Sequence, residues 1–143
     1  MKTSHSLIRA RGFTLIEVMV VVVILGILAA IIVPKIMSRP EQARIVKVKQ
    51  DILAIQSALD LYKLDNGFYP STDQGLQALV TKPTADPIPR NWKSDGYLQQ
   101  VPQDPWSQAY QYSNENDKVR IYSYGPKGPN GNSEIGNFNM DQS

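Results

Sequence analysis

An uninterrupted apolar run near the amino terminus most limits what this chain can fold into. Between Phe13 and Val33 the only charged side chain is Glu17, and no polar side chain follows from Val18 onward. As a helix, these twenty-one residues span about 32 Å at ~1.5 Å per residue. Because the hydrocarbon core of a bilayer is roughly 30 Å thick, the run predicts a single membrane-spanning helix.

A secretory signal peptide is the alternative interpretation of this run. Lys2, Arg9 and Arg11 precede it, as basic residues precede the apolar core of a signal peptide. However, signal-peptide cores are roughly 7–15 residues long, and here Ile31-Ile32-Val33 continue the run beyond the small residues Ala29-Ala30. We therefore favour a retained helix over a removed signal peptide.

The positive charge of the chain is concentrated before the apolar run. The formal net charge is +2, from 15 basic and 13 acidic residues. Without residues 1–12, which hold three basic and no acidic residues, 12 basic residues stand against 13 acidic ones, a net charge of −1. No basic surface of the kind that binds nucleic acid is indicated. The hydrophobic share of 42% and the charged share of 20% are typical of a globular domain.

The helical pattern continues beyond Pro34, but on one face only. Apolar residues recur there at spacings of three and four: Ile45, Val48, Ile52, Ile55, Leu59 and Tyr62. This is the pattern of an amphipathic helix, and Leu53 and Leu61 widen its apolar face. Asp65-Asn66-Gly67 supplies a C-terminal stop, with Gly67 suited to a left-handed cap. We predict one helix from about Phe13 to Leu64, kinked near Pro34 because proline lacks a backbone donor.

Short elements are predicted for the rest of the chain. Thr72 is expected to cap a small helix that runs to Val80. The extended segments and their turn are as follows: Gly96–Leu98, Ala109–Ser113, the turn Asn114–Asp117, Val119–Tyr124 and Ile135–Phe138. The fold class is therefore α+β, with a long helix packed on a small antiparallel sheet of about three strands.

Residues that could support catalysis are scarce. The chain has no cysteine, and its single histidine, His5, precedes the apolar run. Ser-His-Asp and Cys-His triads and ordinary zinc sites therefore cannot form in the chain after that run. Asp86, Asp95 and Asp104 lie in turn-rich segments, where aspartate commonly serves loop geometry. These observations favour a structural or binding protein over an enzyme.

The residues that open the apolar run resemble the leader junction of type IV pilins and pseudopilins. The segment reads Arg-Gly-Phe-Thr-Leu-Ile-Glu, from Arg11 to Glu17. The resemblance implies that a prepilin peptidase cuts between Gly12 and Phe13 and then methylates the new amino group of Phe13. Glycine suits this position because a residue without Cβ can be drawn extended into a narrow active site.

The same resemblance implies a role for Glu17 in assembly. In this family, the carboxylate faces the amino-terminal nitrogen of a neighbouring subunit in the filament. An ammonium group at Phe13 would remove much of the cost of burying that carboxylate. The alternative is a glutamate near the helix start that reaches the lipid headgroups and is stabilised by the helix dipole.

Three longer blocks resemble the major pseudopilins of type II secretion, the general secretion pathway protein G family. They are "LDLYKLDNGFYPSTDQGLQALV", "GYLQQVPQDPWSQAYQY" and "SYGPKGPNGNSEIGNF". The resemblance implies a type IV pilin-like fold with a cleaved leader (1–12), a transmembrane and filament-core half-helix (13–34), an amphipathic half-helix (35–66) and a periplasmic region (67–143).

The function implied by this resemblance is that of a filament subunit. The chain would sit in the inner membrane with its C-terminal domain in the periplasm, and would polymerise with itself into a pseudopilus that drives export of folded proteins across the outer membrane. The implied partners are minor pseudopilins, the prepilin peptidase/N-methyltransferase and an inner-membrane assembly platform, and no nucleic acid. The alternatives are a type IV or competence pilin and a membrane-anchored periplasmic binding module that does not polymerise.

A calcium site is also implied by the resemblance, in the loop before the last strand. Calcium prefers about 6–8 oxygen ligands, several of them carboxylates. In the segment from Tyr124 to Glu134, the residues that correspond to the family's acidic ligands are Ser133 and Glu134, and Lys127 stands where an aspartate is usual. Ser133 and Glu134 are therefore candidate calcium ligands, and Lys127 argues against the site. The alternative is that Lys127 pairs with Glu134 and replaces the cation.

Overall fold

The computed structural model describes residues 12–142, except the side chains of residues 32–39 and of Gln142. The chain divides into two compact units, Met1–Pro40 and Glu41–Ser143. Helix α1 (Leu15–Asn66) contributes residues to both units. The remaining elements are a 3₁₀ helix (Leu76–Leu79), strands β1 (Gln111–Glu115), β2 (Lys118–Ser123) and β3 (Ile135–Gly136), and a second 3₁₀ helix (Met140–Gln142).

The apolar side chains described in the first unit are exposed to solvent. Every described side chain from Gly12 to Ile31 is exposed, and the exposed fraction reaches 89% at Phe13. No helix among the described residues is both long and apolar enough to cross a membrane. The side chains of Ile32 and Val33, at the end of the predicted span, lie outside the described part of the structure, and α1 continues through Pro34, where a kink was predicted.

The predicted apolar face of α1 forms the core of the second unit. Five of its six residues are fully buried: Val48, Ile52, Ile55, Leu59 and Tyr62. Burial of one such side chain stabilises a fold by roughly 1.5–3 kcal/mol. Ile45 is only half-buried, and Leu53 and Leu61, which widen the face in sequence, are 56% and 50% exposed. The buried stripe is therefore narrower than the sequence pattern.

Helix α1 ends as predicted, but the following turn is capped by a different residue. Gly67 adopts a φ of 84°, and its N–H donates to the Lys63 carbonyl oxygen at 2.7 Å. The prediction that Thr72 caps a helix running to Val80 is wrong. Instead, Ser71 and Gln74 bond reciprocally: the Ser71 hydroxyl accepts from the Gln74 N–H, and the Gln74 side chain accepts from the Ser71 N–H.

The Thr72 hydroxyl is engaged elsewhere in the fold. It donates to the carbonyl oxygen of Asn114 at 3.2 Å and accepts from the N–H of the same residue at 3.0 Å. This bond pair ties the segment after the helix to β1. Because its two residues lie far apart in the sequence, local patterns could not reveal it.

The three strands form one antiparallel sheet in the order β1-β2-β3. Glu115 pairs with Lys118, so the hairpin turn is the two residues Asn116 and Asp117 and not the predicted four. Both have positive φ, 54° and 64°, as the tight hairpin turn that matches strand twist requires. On β2, Ile121 and Ser123 are fully buried.

Two of the predicted extended segments differ from the structure. Ile135–Phe138 shortens to the two residues of β3. Gly96–Leu98 is not a strand, because the N–H groups of Tyr97 and Leu98 both donate to the Leu79 carbonyl oxygen, at 2.7 and 3.1 Å. The segment is therefore held against the end of the first 3₁₀ helix and not in the sheet.

A buried carboxylate, Asp104, organises the bend before β1. It is 4% exposed. Its Oδ1 accepts from the N–H groups of Trp106 and Gln108, at 3.1 and 2.7 Å, and its Oδ2 accepts from the hydroxyl of Ser123 at 2.7 Å. The Ser123 hydroxyl in turn accepts from the Gly125 N–H at 3.0 Å. Asp104 thus serves loop geometry, as predicted, and it also joins the bend to the end of β2.

Tyrosines pack between α1 and the sheet and differ in the partners of their hydroxyl groups. Tyr110 donates to the Asp51 carboxylate at 2.7 Å, and Tyr112 donates to the Pro70 carbonyl oxygen at 2.8 Å. The hydroxyl of Tyr62 is buried and has no hydrogen-bond partner among the described residues. Burial raises the pKa of Tyr62 to about 12, so the ring stays neutral at physiological pH.

Replacing Tyr62 with phenylalanine is expected to leave thermal stability unchanged or to raise it. A buried hydroxyl without a partner costs about 1–3 kcal/mol, and phenylalanine keeps the ring contacts to Phe68 and Tyr97. Tyr110→Phe is the matched control: it removes the same atom but breaks a bond to a carboxylate, which costs about 1.5–3 kcal/mol. Thermal denaturation compares the two variants, and a greater loss for Tyr62→Phe would contradict this interpretation.

Candidate functional site

The leader junction lies directly before α1. Gly12, Phe13 and Thr14 are not helical, and α1 begins at Leu15. The Thr14 N–H donates to Glu17 Oε2 at 3.3 Å, and the Glu17 N–H donates to Thr14 Oγ1 at 3.2 Å. This reciprocal pair is a capping box, which satisfies two backbone donors at the helix start.

The capping box is a role of Glu17 that the interpretation of the sequence did not include. Its signal is present in the printed sequence, since a threonine followed three residues later by a glutamate marks a helix start. Thr14 and Glu17 have this spacing just ahead of the apolar run. The carboxylate is therefore fixed at the first turn of α1, close to the residue that cleavage after Gly12 would make the amino terminus.

The surroundings of Glu17 are almost entirely apolar. A shallow groove includes Glu17 and is otherwise lined by Phe13, Ile16, Val18, Val20, Val21 and Val22. These side chains are at least half exposed in the single chain. Whatever covers the groove also takes the carboxylate out of water, and an ionised carboxylate tolerates this only with a charged or hydrogen-bonding partner.

The candidate calcium ligands lie between β2 and β3, but they do not form a cage. The Ser133 hydroxyl donates to the carbonyl oxygen of Tyr124 at 2.9 Å, and Glu134 is exposed. The alternative, a pair between Lys127 and Glu134, is not among the ion pairs seen in the described part of the chain, which include Arg44–Glu41, Lys47–Asp51 and Lys63–Asp117. Within residues 12–142, no three acidic or histidine side chains are grouped closely enough to hold a metal ion.

The acidic residues considered for catalysis are not brought together as a reactive pair. Asp104 is buried and satisfied by the N–H groups of its own bend and by Ser123. Asp86 and Asp95 are exposed on the loop that precedes it. His5 lies outside the described residues. The geometry of the described residues therefore points to the exposed apolar surface and its carboxylate as the candidate site.

Two models of known protein families match consecutive parts of the chain. The model for the type II secretion system (T2SS) protein G matches residues 35–138. The prokaryotic N-terminal methylation motif matches residues 7–33, which include Gly12, Phe13 and Glu17.

Curated relatives match over nearly the whole chain. The type II secretion system core protein G of Pseudomonas aeruginosa is 58% identical over 133 residues, covering 89% of this chain and 94% of that protein. The core protein G of Pectobacterium carotovorum is 54% identical over 137 residues, covering 94% of this chain and 88% of that protein.

A solved structure confirms the expected pilin-like fold. The major pseudopilin from the type 2 secretion system of enterohaemorrhagic Escherichia coli superposes with a TM-score of 0.65 at 48% identity, covering 71% of this chain and 92% of that one. That family is one of structural pseudopilins and not of enzymes. The chain therefore belongs to the type II secretion system protein G family and is a structural subunit of the pseudopilus.

Proposed function

We propose that the chain is made as a precursor, cut between Gly12 and Phe13 and methylated at the new amino group of Phe13 by the prepilin peptidase/N-methyltransferase. Two observations support this. The methylation motif spans the junction, and Gly12 to Thr14 are exposed and non-helical, which is the kind of segment that proteases cut. The helix begins only two residues after Phe13, so cleavage leaves the capping box intact.

The cut also creates the partner that Glu17 needs. The apolar run from Phe13 to Val33 lies in lipid in the inner membrane and then packs against the same run of other copies in the filament. In the filament Glu17 is removed from water, and the amino group of Phe13 on a neighbouring copy supplies the opposite charge. A buried pair of this kind sets the register between subunits more than it adds net stability.

The family indicates the cellular setting in general terms. The methylation motif and the family imply a membrane-anchored periplasmic filament, self-assembly and other components of the secretion system. We further propose that the chain crosses the inner membrane once and that its C-terminal domain lies in the periplasm. Its partners are then minor pseudopilins and an inner-membrane assembly platform. Growth of the filament drives export of folded proteins across the outer membrane. Membership in the protein G family disfavours both a type IV or competence pilin and a non-polymerising binding module.

The observation that carries the proposal is the exposed glutamate in an apolar surface directly after a processing junction, and the mature amino terminus tests it. The intact mass of the protein purified from membranes is expected to match a chain that starts at Phe13 and carries one added methyl group. A mass that includes Met1 would contradict the proposal.

A glycine pair supplies the matched control for processing. Gly12→Val is expected to block the cut, because a branched side chain is forced into the narrow site that glycine enters. Gly26→Val makes the same change inside the apolar run, where a Cβ meets nothing within 4 Å, and it should be processed normally. Equal processing of both variants would show that Gly12 is not the recognised residue.

A further inference from the structure

The loop between β2 and β3, residues 124–134, lacks the chemistry that a calcium cage needs. Glu134 is its only carboxylate, and the side chain of Lys127 adds an opposite charge to the same loop. Calcium prefers about 6–8 oxygens, several of them carboxylates. The donor set of this loop therefore does not fit the cation that the resemblance to the family implies.

Direct contacts between protein groups hold the two ends of the loop together. The Ser133 hydroxyl donates to the Tyr124 carbonyl oxygen at 2.9 Å. The backbone of Ser133 lies so close to Gly125 that a Cβ at position 125 would collide with the Ser133 carbonyl oxygen. Gly125 also has a φ of 76°, which glycine adopts without strain. We call this contact of Ser133 with Tyr124 and Gly125 the loop latch.

Both sides of the loop latch are anchored to the rest of the domain. On the β2 side, the buried Ser123 hydroxyl accepts from the Gly125 N–H and donates to Asp104. On the β3 side, the Asn139 side chain donates to the Glu134 carbonyl oxygen at 2.9 Å and accepts from the Gly136 N–H at 2.9 Å. Neutral hydrogen bonds to Asn139 therefore fix the β3 end of the loop. The β2 end is fixed through Ser123, which is bonded to the carboxylate of Asp104.

We propose that the loop latch replaces a bound cation in this chain, so that the C-terminal loop is closed and stable without calcium. The hydroxyl of Ser133 engages the carbonyl oxygen of Tyr124, which an ion would otherwise coordinate. Lys127 adds a positive charge that opposes entry of a divalent cation. Stability and assembly of this pseudopilin are therefore independent of calcium, in contrast to what the resemblance to the family implies.

Thermal denaturation of the full-length mature protein in detergent tests the proposal, with calcium chloride at ~mM concentration or with a chelator. The melting temperature is expected to be the same in both conditions. A rise with calcium that the chelator reverses would overturn the proposal, because a cation that binds only the folded state must stabilise it.

Ser133→Ala tests the hydroxyl itself. Loss of this one hydrogen bond is expected to lower the melting temperature of a domain of this size by about 4–8 °C. The loss is expected to be equal with and without calcium. Ser94→Ala is the matched control, because Ser94 is exposed on a loop. If Ser133→Ala melts like the unchanged protein, the loop latch does not hold the loop and the proposal fails.

Discussion

Replacing Glu17 with alanine is expected to abolish filament assembly and secretion while the amount of protein in the inner membrane stays the same. In the proposed filament, the apolar groove that holds the carboxylate is covered when copies pack together. Removing one partner of a buried ion pair costs about 3–5 kcal/mol, and each 1.4 kcal/mol changes an equilibrium constant about tenfold. Association at each contact should therefore weaken at least about a hundredfold. Membrane insertion should persist, because alanine makes the run more apolar.

The capping box provides the control that separates the two roles of Glu17. Thr14→Ala removes the hydroxyl that accepts from the Glu17 N–H, but it leaves the carboxylate in place with its bond from the Thr14 N–H, and loss of an N-cap typically costs about 1 kcal/mol. Assembly by Thr14→Ala should be reduced but measurable, whereas Glu17→Ala should show none. Equal loss in both variants would mean that Glu17 acts through the helix start. Normal secretion by Glu17→Ala would support a binding module that never polymerises.

Replacing Asp104 with alanine is expected to destabilise the fold strongly. The substitution leaves the N–H groups of Trp106 and Gln108 and the buried Ser123 hydroxyl without their acceptor. A buried donor without a partner costs about 1–3 kcal/mol, and the N–H groups of Trp106 and Gln108 are part-buried, so we expect a total loss of about 3–5 kcal/mol. At about 4–8 °C per kcal/mol, the melting temperature should fall by at least ~12 °C.

Two variants define which bonds of Asp104 matter. Asp104→Asn keeps an oxygen for the two N–H groups but offers Ser123 a donor in place of an acceptor, so an intermediate loss is expected. Asp95→Ala removes an exposed carboxylate from the preceding loop and should change stability by less than about 0.5 kcal/mol. If Asp104→Ala and Asp95→Ala melt alike, the network around Asp104 does not hold the bend.

The elements that the sequence predicted well are those set by local chemistry. The spacing from Ile45 to Tyr62 predicts one helix and its buried face, and Gly67 predicts the stop, because periodicity and caps depend on neighbours along the chain. A carboxylate in an apolar run has few structural explanations, so the run from Phe13 to Glu17 pointed to the candidate site, and the roles of its residues stay predictions.

The predictions that failed depend on partners distant in the sequence. The Thr72 hydroxyl forms hydrogen bonds with Asn114 of β1, so Ser71 and not Thr72 caps the turn. Leu53 and Leu61 have the spacing of core residues, but the sheet covers only one narrow side of α1 and leaves both exposed. The sequence could not reveal the hydrogen bond between Asp104 and Ser123, because it forms only when β2 is packed beside the bend.

The most direct test of the account is a zero-length cross-link between the Phe13 amino group and the Glu17 carboxylate in assembled filaments. Carbodiimide joins an amine to a carboxylate only when the two groups touch, and a methylated amine still reacts. The account predicts covalent dimers on a denaturing gel, with the link between Phe13 of one copy and Glu17 of another identified by peptide mass. Dimers should vanish in Glu17→Ala and persist in Thr14→Ala. Filaments that give no such link between copies, or only a link within one chain, would contradict it.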